Sequence, residues 1–182
     1  MSSLRPLRIG YVPGVTPGKW VKRWNERNRA DPLHLLQIEQ AEQRASLDQD
    51  LVDLCFVRDL AEVDGLHVIR LYEELQVVVA STENPISVME EIRSSEFADE
   101  HRFEPGADLT ERQAVEAAAS GSGVVVLPMS VARLHARKDV AAVVISDLEP
   151  IPVALAFPRD KDSDPVQEFI GVVRGRTLRS SR

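Results

Sequence analysis

The strongest constraint on this chain is a rhythm in its first 57 residues, where three apolar runs are separated by two stretches of helical pattern. Residues 7–12 are the first apolar run and end in Pro13-Gly14, which predicts a buried strand followed by a turn. Thr16 offers a capping hydroxyl, Pro17 suits the first helical position, and Trp20, Val21 and Trp24 share one helical face. Asp31-Pro32 stops that helix; residues 33–39 supply a second strand, residues 42–50 a polar helix and residues 51–57 a third strand. Such alternation predicts a mostly parallel sheet with crossover helices, whose carboxyl ends form a crevice suited to ligands. The loops 13–18 and 58–60 open there.

Further along, residues 66–72 and 75–81 read as strands separated by Glu73-Glu74, and Glu83-Asn84-Pro85 marks a crossover into a second lobe. Helices are predicted over 88–94 and 111–119, the latter with Thr110 and Gln113 at capping-box spacing. Residues 96–109 carry no legible pattern. Gly121-Ser122-Gly123 ends the helix and leads into a very apolar strand at 124–127, closed by Pro128. A helix over 129–137 and strands over 140–145 and 151–157 follow. Asp164-Pro165 then opens a last helix reaching Arg174, with Val166, Phe169, Ile170 and Val173 on its apolar face. The expected division is residues 1–84 with about 146–182 in a first lobe, and residues 85–145 in a second.

Composition removes several function classes. The net charge of −7 lacks the electrostatic footprint of a phosphate-backbone binder, and the basic residues at 19–29 and 174–182 read as solvated surface. The single Cys55, between Leu54 and Phe56, forms no internal disulfide and reads as a buried apolar residue, so a cytoplasmic protein is expected. Arg5, Pro6 and Arg8 interrupt the first ten residues, which do not read as a secretion signal, and no stretch reaches membrane-spanning length. His34, His67, His101 and His135 are scattered singly, against a metal site, and there is no Gly-x-Ser-x-Gly elbow or nucleophile signature around Cys55. The glycines at 121 and 123 follow a helix and precede a strand, the reverse of a phosphate-cradling order. Glu73-Glu74 and Glu90-Glu91 read as surface charge. No metal, cofactor or catalytic residue is expected. The loop at 13–18 remains, where Thr16 and free helix-start donors suit a carboxylate or form a plain cap.

The string LRIGYVPG at 7–14 resembles the opening strand of the effector-binding domain of LysR-type transcriptional regulators, and LVDLCFVR at 51–58 resembles that domain's third strand. The segments 65–69 and 71–74, and 77–80 with Asn84-Pro85, are similar to the rest of its first lobe. VEAAASGSGVVVLP at 115–128 is similar to the family's most recognisable run, and residues 130–135 and 165–176 extend the likeness. The resemblance implies an α/β, two-lobed, periplasmic-binding-protein-like fold of type 2, with a small effector held between the lobes. It places Pro13, Gly14 and Thr16, then Val57 and Arg58, then Leu127, Pro128 and Met129 around that effector. Arg58 is the expected partner of an anion. The resemblance begins at the first effector-domain strand, so a stand-alone domain without the family's winged helix-turn-helix is expected. The stretch 86–109 is shorter than the family pattern, so the second lobe is expected to be reduced.

The expected function is binding of a small anionic or aromatic metabolite in transcriptional regulation without direct DNA contact. The expected partners are that effector and a second copy or LysR-type relatives, joined side by side through opposite lobes. Two alternatives stand beside it. One is an interaction remnant with no working cleft. The other is an enzyme on a binding-protein fold, which requires Glu39, Asp53 or His67 to converge on Arg58.

Overall fold

In the computed structural model, residues 5–27, 32–106 and 108–175 are described; Asp31 and the basic tail at 176–182 lie outside them. The described residues form two five-stranded sheets, one in each of two compact units, residues 1–72 with 153–182 and residues 73–152.

The first unit contains β1 (Leu7–Tyr11), α1 (Gly18–Arg27), β2 (Leu33–Gln37), α2 (Gln43–Asp48), β3 (Leu54–Arg58), β4 (Leu66–Glu74), β10 (Ile151–Pro158) and α5 (Asp164–Val173). Its sheet order is β2-β1-β3-β10-β4, with β1 parallel to both neighbours and β10 antiparallel to β3. Strand alternation sorts the core. Leu54 and Phe56 of β3 and Val153, Leu155 and Phe157 of β10 meet Trp20 and Trp24 of α1 and Val166, Phe169 and Ile170 of α5 on one face. Cys55 and Val57, with the small Ala154 and Ala156, meet Leu47 of α2 on the other. Both tryptophans are buried, 5% and 2% exposed, so they are core residues and leave α1 only its polar side for contact. The strand expected at 33–39 is present and lies at the edge of the sheet: β2 stops at Gln37, and Leu35 and Leu36 are exposed.

The second unit contains β5 (Gln76–Ser81), β6 (Glu91–Ile92), β7 (Arg102–Phe103), α3 (Glu111–Ala119), β8 (Val124–Pro128), α4 (Met129–Leu134) and β9 (Val140–Ile145), in sheet order β6-β9-β5-β8-β7. The crossings between units fall after Tyr72 and before Val153, not at residues 84 and 146, because β5 pairs with β8 and β9. Helices α3 and α4 cover one face through Ala114, Val115, Ala118, Val131 and Ala132. The other face is covered by Ile86, Ile92 and Phe97, which sit in short turns and β6. This overturns the helix expected at 88–94. The spacing of Val88 and Ile92 mimics a helix, yet Glu91 and Ile92 pair with Val144 and Ile145, which buries Ile92 in a strand. The capping box of α3 is present: Gln113 N donates to Thr110 Oγ1 at 3.2 Å and Thr110 N donates to Gln113 Oε1 at 3.0 Å. Gly121 terminates the helix with φ +79° and its N–H on Ala118 O. Glu74, expected at the surface, is buried at the end of β4.

At the amino end of β1, Asp53 accepts from Arg8 N at 2.8 Å, Arg8 Nε at 3.2 Å and Arg8 Nη2 at 2.7 Å, while Asp50 accepts from Lys161 Nζ at 2.6 Å and from Arg8. Burial raises the Asp53 pKa, but the Arg8 side-chain and backbone donors outweigh it and hold the carboxyl below its usual range. Lys161 first, then Arg8, lower Asp50. A depressed folded-state pKa contributes stability that is complete above the unfolded carboxylate value, about 3.9, and is lost as pH falls through the folded value. The melting temperature should therefore drop between about pH 4 and pH 2. R8Q should flatten that drop, and an acid profile identical in R8Q and wild type would discount the cluster.

Candidate functional site

The first unit's sheet reverses direction of winding between β1 and β3. From β1 the chain crosses through α1 on one face to β2, then returns through α2 on the opposite face to β3 on the far side of β1. The carboxyl ends of β1 and β3 are thus a topological switch point, where diverging loops leave a crevice.

Three local features shape it. The chain leaves β1 in a turn closed by Val15 N on Val12 O at 3.2 Å, and Gly14 takes φ +85°, which only glycine adopts without strain. Helix α1 starts at Gly18, one residue later than the sequence suggests. The Pro17 carbonyl accepts from Trp20 N and Val21 N, making Pro17 the cap and leaving Thr16 exposed just ahead of it. Among the described residues the Thr16 hydroxyl has no hydrogen-bond partner, so it is available to solvent or a ligand.

The third feature is a clamp on the end of β3. Beyond Tyr11, β1 no longer flanks that strand, and a side chain takes its place. Gln43 Nε2 donates to Arg58 O at 2.8 Å, and Arg58 N donates to Gln43 Oε1 at 3.0 Å, so one carboxamide copies a strand neighbour. The guanidinium is fully buried, with Nη1 donating to Gln40 Oε1 at 3.1 Å. Arg58 was expected to meet an anion as an open fork; it is instead an anchored group that binds an anion only by giving up bonds it already makes. Neither glutamine was legible as a site residue, since nothing in the spacing of a polar stretch tells which amide turns toward the sheet.

The remaining expected positions divide by burial. Pro13 is buried and Gly14 half-buried in the turn. Val57 is 1% exposed against Leu47 and Ile38, and Leu127 is 3% exposed against α3, so both are core side chains that contribute backbone alone to any site. Pro128 and Met129 are half-buried where β8 passes into α4, with Met129 N donating to Leu75 O at 2.9 Å.

Catalytic groups do not gather on Arg58. Asp53 precedes β3 and is held by Arg8, about 16 Å from Arg58 along an extended strand. The His67 ring lies 5.1 Å from the Phe157 ring on β10, and Glu39 is exposed. Burial pushes the Cys55 thiol up to about 12, which keeps it a thiol at neutral pH. Among the described residues no group of three or more His, Cys, Asp or Glu is placed to hold a metal, and no helix is long and apolar enough to cross a membrane.

Residues 3–117 match the LysR substrate binding domain family. No curated protein matches the chain. Among solved structures, the BenM effector binding domain with its effector benzoate superposes with a TM-score of 0.81 at 16% identity, over 96% of this chain and 92% of that one. A cysteine mutant of Corynebacterium glutamicum OxyR with bound H2O2 gives 0.75 at 18% identity, over 96% and 67%. A mutant OxyR regulatory domain from Pseudomonas aeruginosa gives 0.71 at 18%, over 94% and 99%. At these identities the likeness is one of fold: an α/β, periplasmic-binding-protein-like fold of type 2.

Proposed function

Since the chain belongs to the LysR substrate binding domain family, a regulatory family of transcription factors rather than of enzymes, we propose that it senses a small anionic or aromatic metabolite. The observation that carries this reading is the topological switch point at the ends of β1 and β3, next to an unpartnered Thr16 hydroxyl and the start of α1. Helix-start N–H groups and their partial positive charge favour a carboxylate. In this reading Pro13, Gly14 and Thr16 form the rim, Val57 offers backbone, and Arg58, locked by Gln40 and Gln43, is a cation the effector recruits by exchange. Leu127, Pro128 and Met129, at the junction of β8 and α4 in the second unit, are also read as ligand-binding residues. The net charge of −7 supports regulation without direct DNA contact; that regulation is read as cytoplasmic and as carried out by a homodimer or by pairing with LysR-type relatives.

The test is thermal unfolding against a panel of small carboxylates and aromatic acids, benzoate first. A ligand at a hundredfold excess over its Kd adds about 2.7 kcal/mol to the folded state, which raises Tm by roughly 5–10 °C in a domain of this size. Thr16→Val should weaken that response while leaving the unliganded Tm unchanged, because Thr16 is exposed. A panel with no active member would overturn the sensor reading in favour of an interaction module without a ligand.

A further inference from the structure

Cations are scarce in the second unit, and most of them are gathered. Residues 73–152 hold six Lys and Arg against fifteen Asp and Glu, a net of −9. Four of the six, Arg112, Arg133, Arg137 and Lys138, lie in the first turn of α3 or around the end of α4. Val115 of α3 joins the same core as Val131 and Ala132 of α4, which sets these two segments side by side. Between them is a cavity of about 270 Å³, lined by Arg112 and Glu116 of α3 and by Leu134, His135 and Arg137, over the buried Val115. Pockets for drug-sized ligands run to about 300–1,000 Å³, so this one suits a small metabolite.

Its guanidiniums are held without being used up. Arg112 Nε donates to Glu116 Oε1 at 3.2 Å, and Arg137 donates from Nε and Nη2 to the two oxygens of Asp139, both at 2.8 Å. Among the described residues neither side chain makes another hydrogen bond, so both Nη groups of Arg112 and Nη1 of Arg137 keep their donors. Asp139 first, and Glu116 more weakly, raise the Arg137 pKa, so α3 and Arg137 share the field of one carboxylate. His135 is half-buried, and its imidazole has no hydrogen-bond partner among the described residues. A carboxylate that fixes one edge of a guanidinium leaves the other edge oriented, which lowers the ordering cost of binding.

We propose that this cavity binds a small phosphomonoester, its phosphate on the free donors of Arg112, His135 and Arg137 and its organic body over Leu134 and Val115. A carboxylate has one charge and two oxygens and would only repeat what Glu116 and Asp139 already offer. A phosphomonoester carries about −1.5 to −2 and three acceptor oxygens, one for each cationic side chain, and arginine forks match that geometry. Leu134 is 55% exposed, so a body laid over it takes apolar surface out of water. The site lies within the second unit and does not depend on the sensor reading.

Titration of the ¹⁵N-labelled full chain with phenyl phosphate and with inorganic phosphate, followed residue by residue by NMR, tests it. Phenyl phosphate should shift the amides of residues 112–116 and 134–137 saturably. Its Kd should be about tenfold or more below that of inorganic phosphate, because only the ester covers Leu134. Arg112→Gln combined with Arg137→Gln should weaken phenyl phosphate at least about tenfold with the wild-type circular dichroism kept, since both side chains are exposed. Leu134→Ala should weaken the ester and leave inorganic phosphate unchanged. Equal affinity for the two probes overturns the ester and makes free phosphate the ligand. Unchanged binding in the double variant, or shifts confined to residues 13–16 and 58, overturns the site. Absence of saturation by about 10 mM overturns it outright.

Discussion

Phe169→Ala should lower the unfolding free energy by about 3–5 kcal/mol, the range for removing a fully buried phenylalanine. Phe169 is 0% exposed and joins three elements of the first unit. Its ring meets Phe56 of β3 edge-on at 6.2 Å and Trp24 of α1 at 5.8 Å, and Phe56 in turn stacks on Trp20 at 4.9 Å. Truncation therefore opens a cavity under both helices that cover this face, and it also removes aromatic pairing worth about 0.5–1.5 kcal/mol beyond area. Phe169→Leu, which keeps most of the volume, should cost clearly less. Urea unfolding followed by tryptophan fluorescence reads the effect directly, because the chain's two tryptophans both belong to this cluster. A loss below about 1 kcal/mol in Phe169→Ala would mean that the cluster is not packed as described.

The alternation that opens the chain was legible because buried parallel strands and crossover helices leave different periodicities. The run VVVLP, short and bounded by the Gly121-Ser122-Gly123 turn and its own closing proline, reads as a largely buried strand. What was illegible has a common cause: a short apolar run does not say which neighbour it finds. Strand β2 is as apolar as β1, yet β1 lies between two strands and β2 has one, so only the sheet order separates a core strand from an exposed edge. Residues 88–94 failed in the opposite direction. Two apolar residues four apart satisfy a helix and a strand equally until β9 supplies a pairing partner for Glu91 and Ile92.

The candidate site was half legible for a related reason. Pro13, Gly14 and Thr16 announce themselves through turn and helix-start chemistry, which is local. Arg58 announced a charge but not its surroundings, since Gln43 and Gln40 lie fifteen and eighteen residues away in sequence. Val57 and Leu127 were drawn toward the site by their position beside recognisable residues, whereas strand alternation turns both side chains into the cores. Sequence neighbours of a site residue on a strand point away from it as often as toward it.

Gly123→Ala should be the most damaging single-methyl change in the second unit. Replacing glycine by alanine usually stabilises by about 0.4–1 kcal/mol, because the unfolded chain loses freedom. At residue 123 that gain is overwhelmed. A Cβ there would lie well inside van der Waals contact of the His101 carbonyl oxygen, and 3.1 Å from both the His101 carbonyl carbon and Phe103 Cε2. The obstacle is backbone, which has no rotamer to adopt. The same His101 oxygen accepts from Val124 N at 2.8 Å in the first contact between β7 and β8, so relief of the clash breaks a buried hydrogen bond. Overpacking of about 1–3 kcal/mol and an unsatisfied buried donor of about 1–3 kcal/mol both oppose the entropic gain. A net loss of about 3 kcal/mol is expected, and Tm should fall by roughly 6–12 °C. Gly171→Ala is the control, since that glycine lies within α5 with nothing within 4 Å of an added Cβ. Helix propensity predicts a gain of about 0.5–1 kcal/mol there. Opposite signs from one chemical change would show that the β7 to β8 approach, rather than a general intolerance of side chains, fixes glycine at 123. Equal and small effects at both positions would mean that β7 does not pack against β8 at this distance.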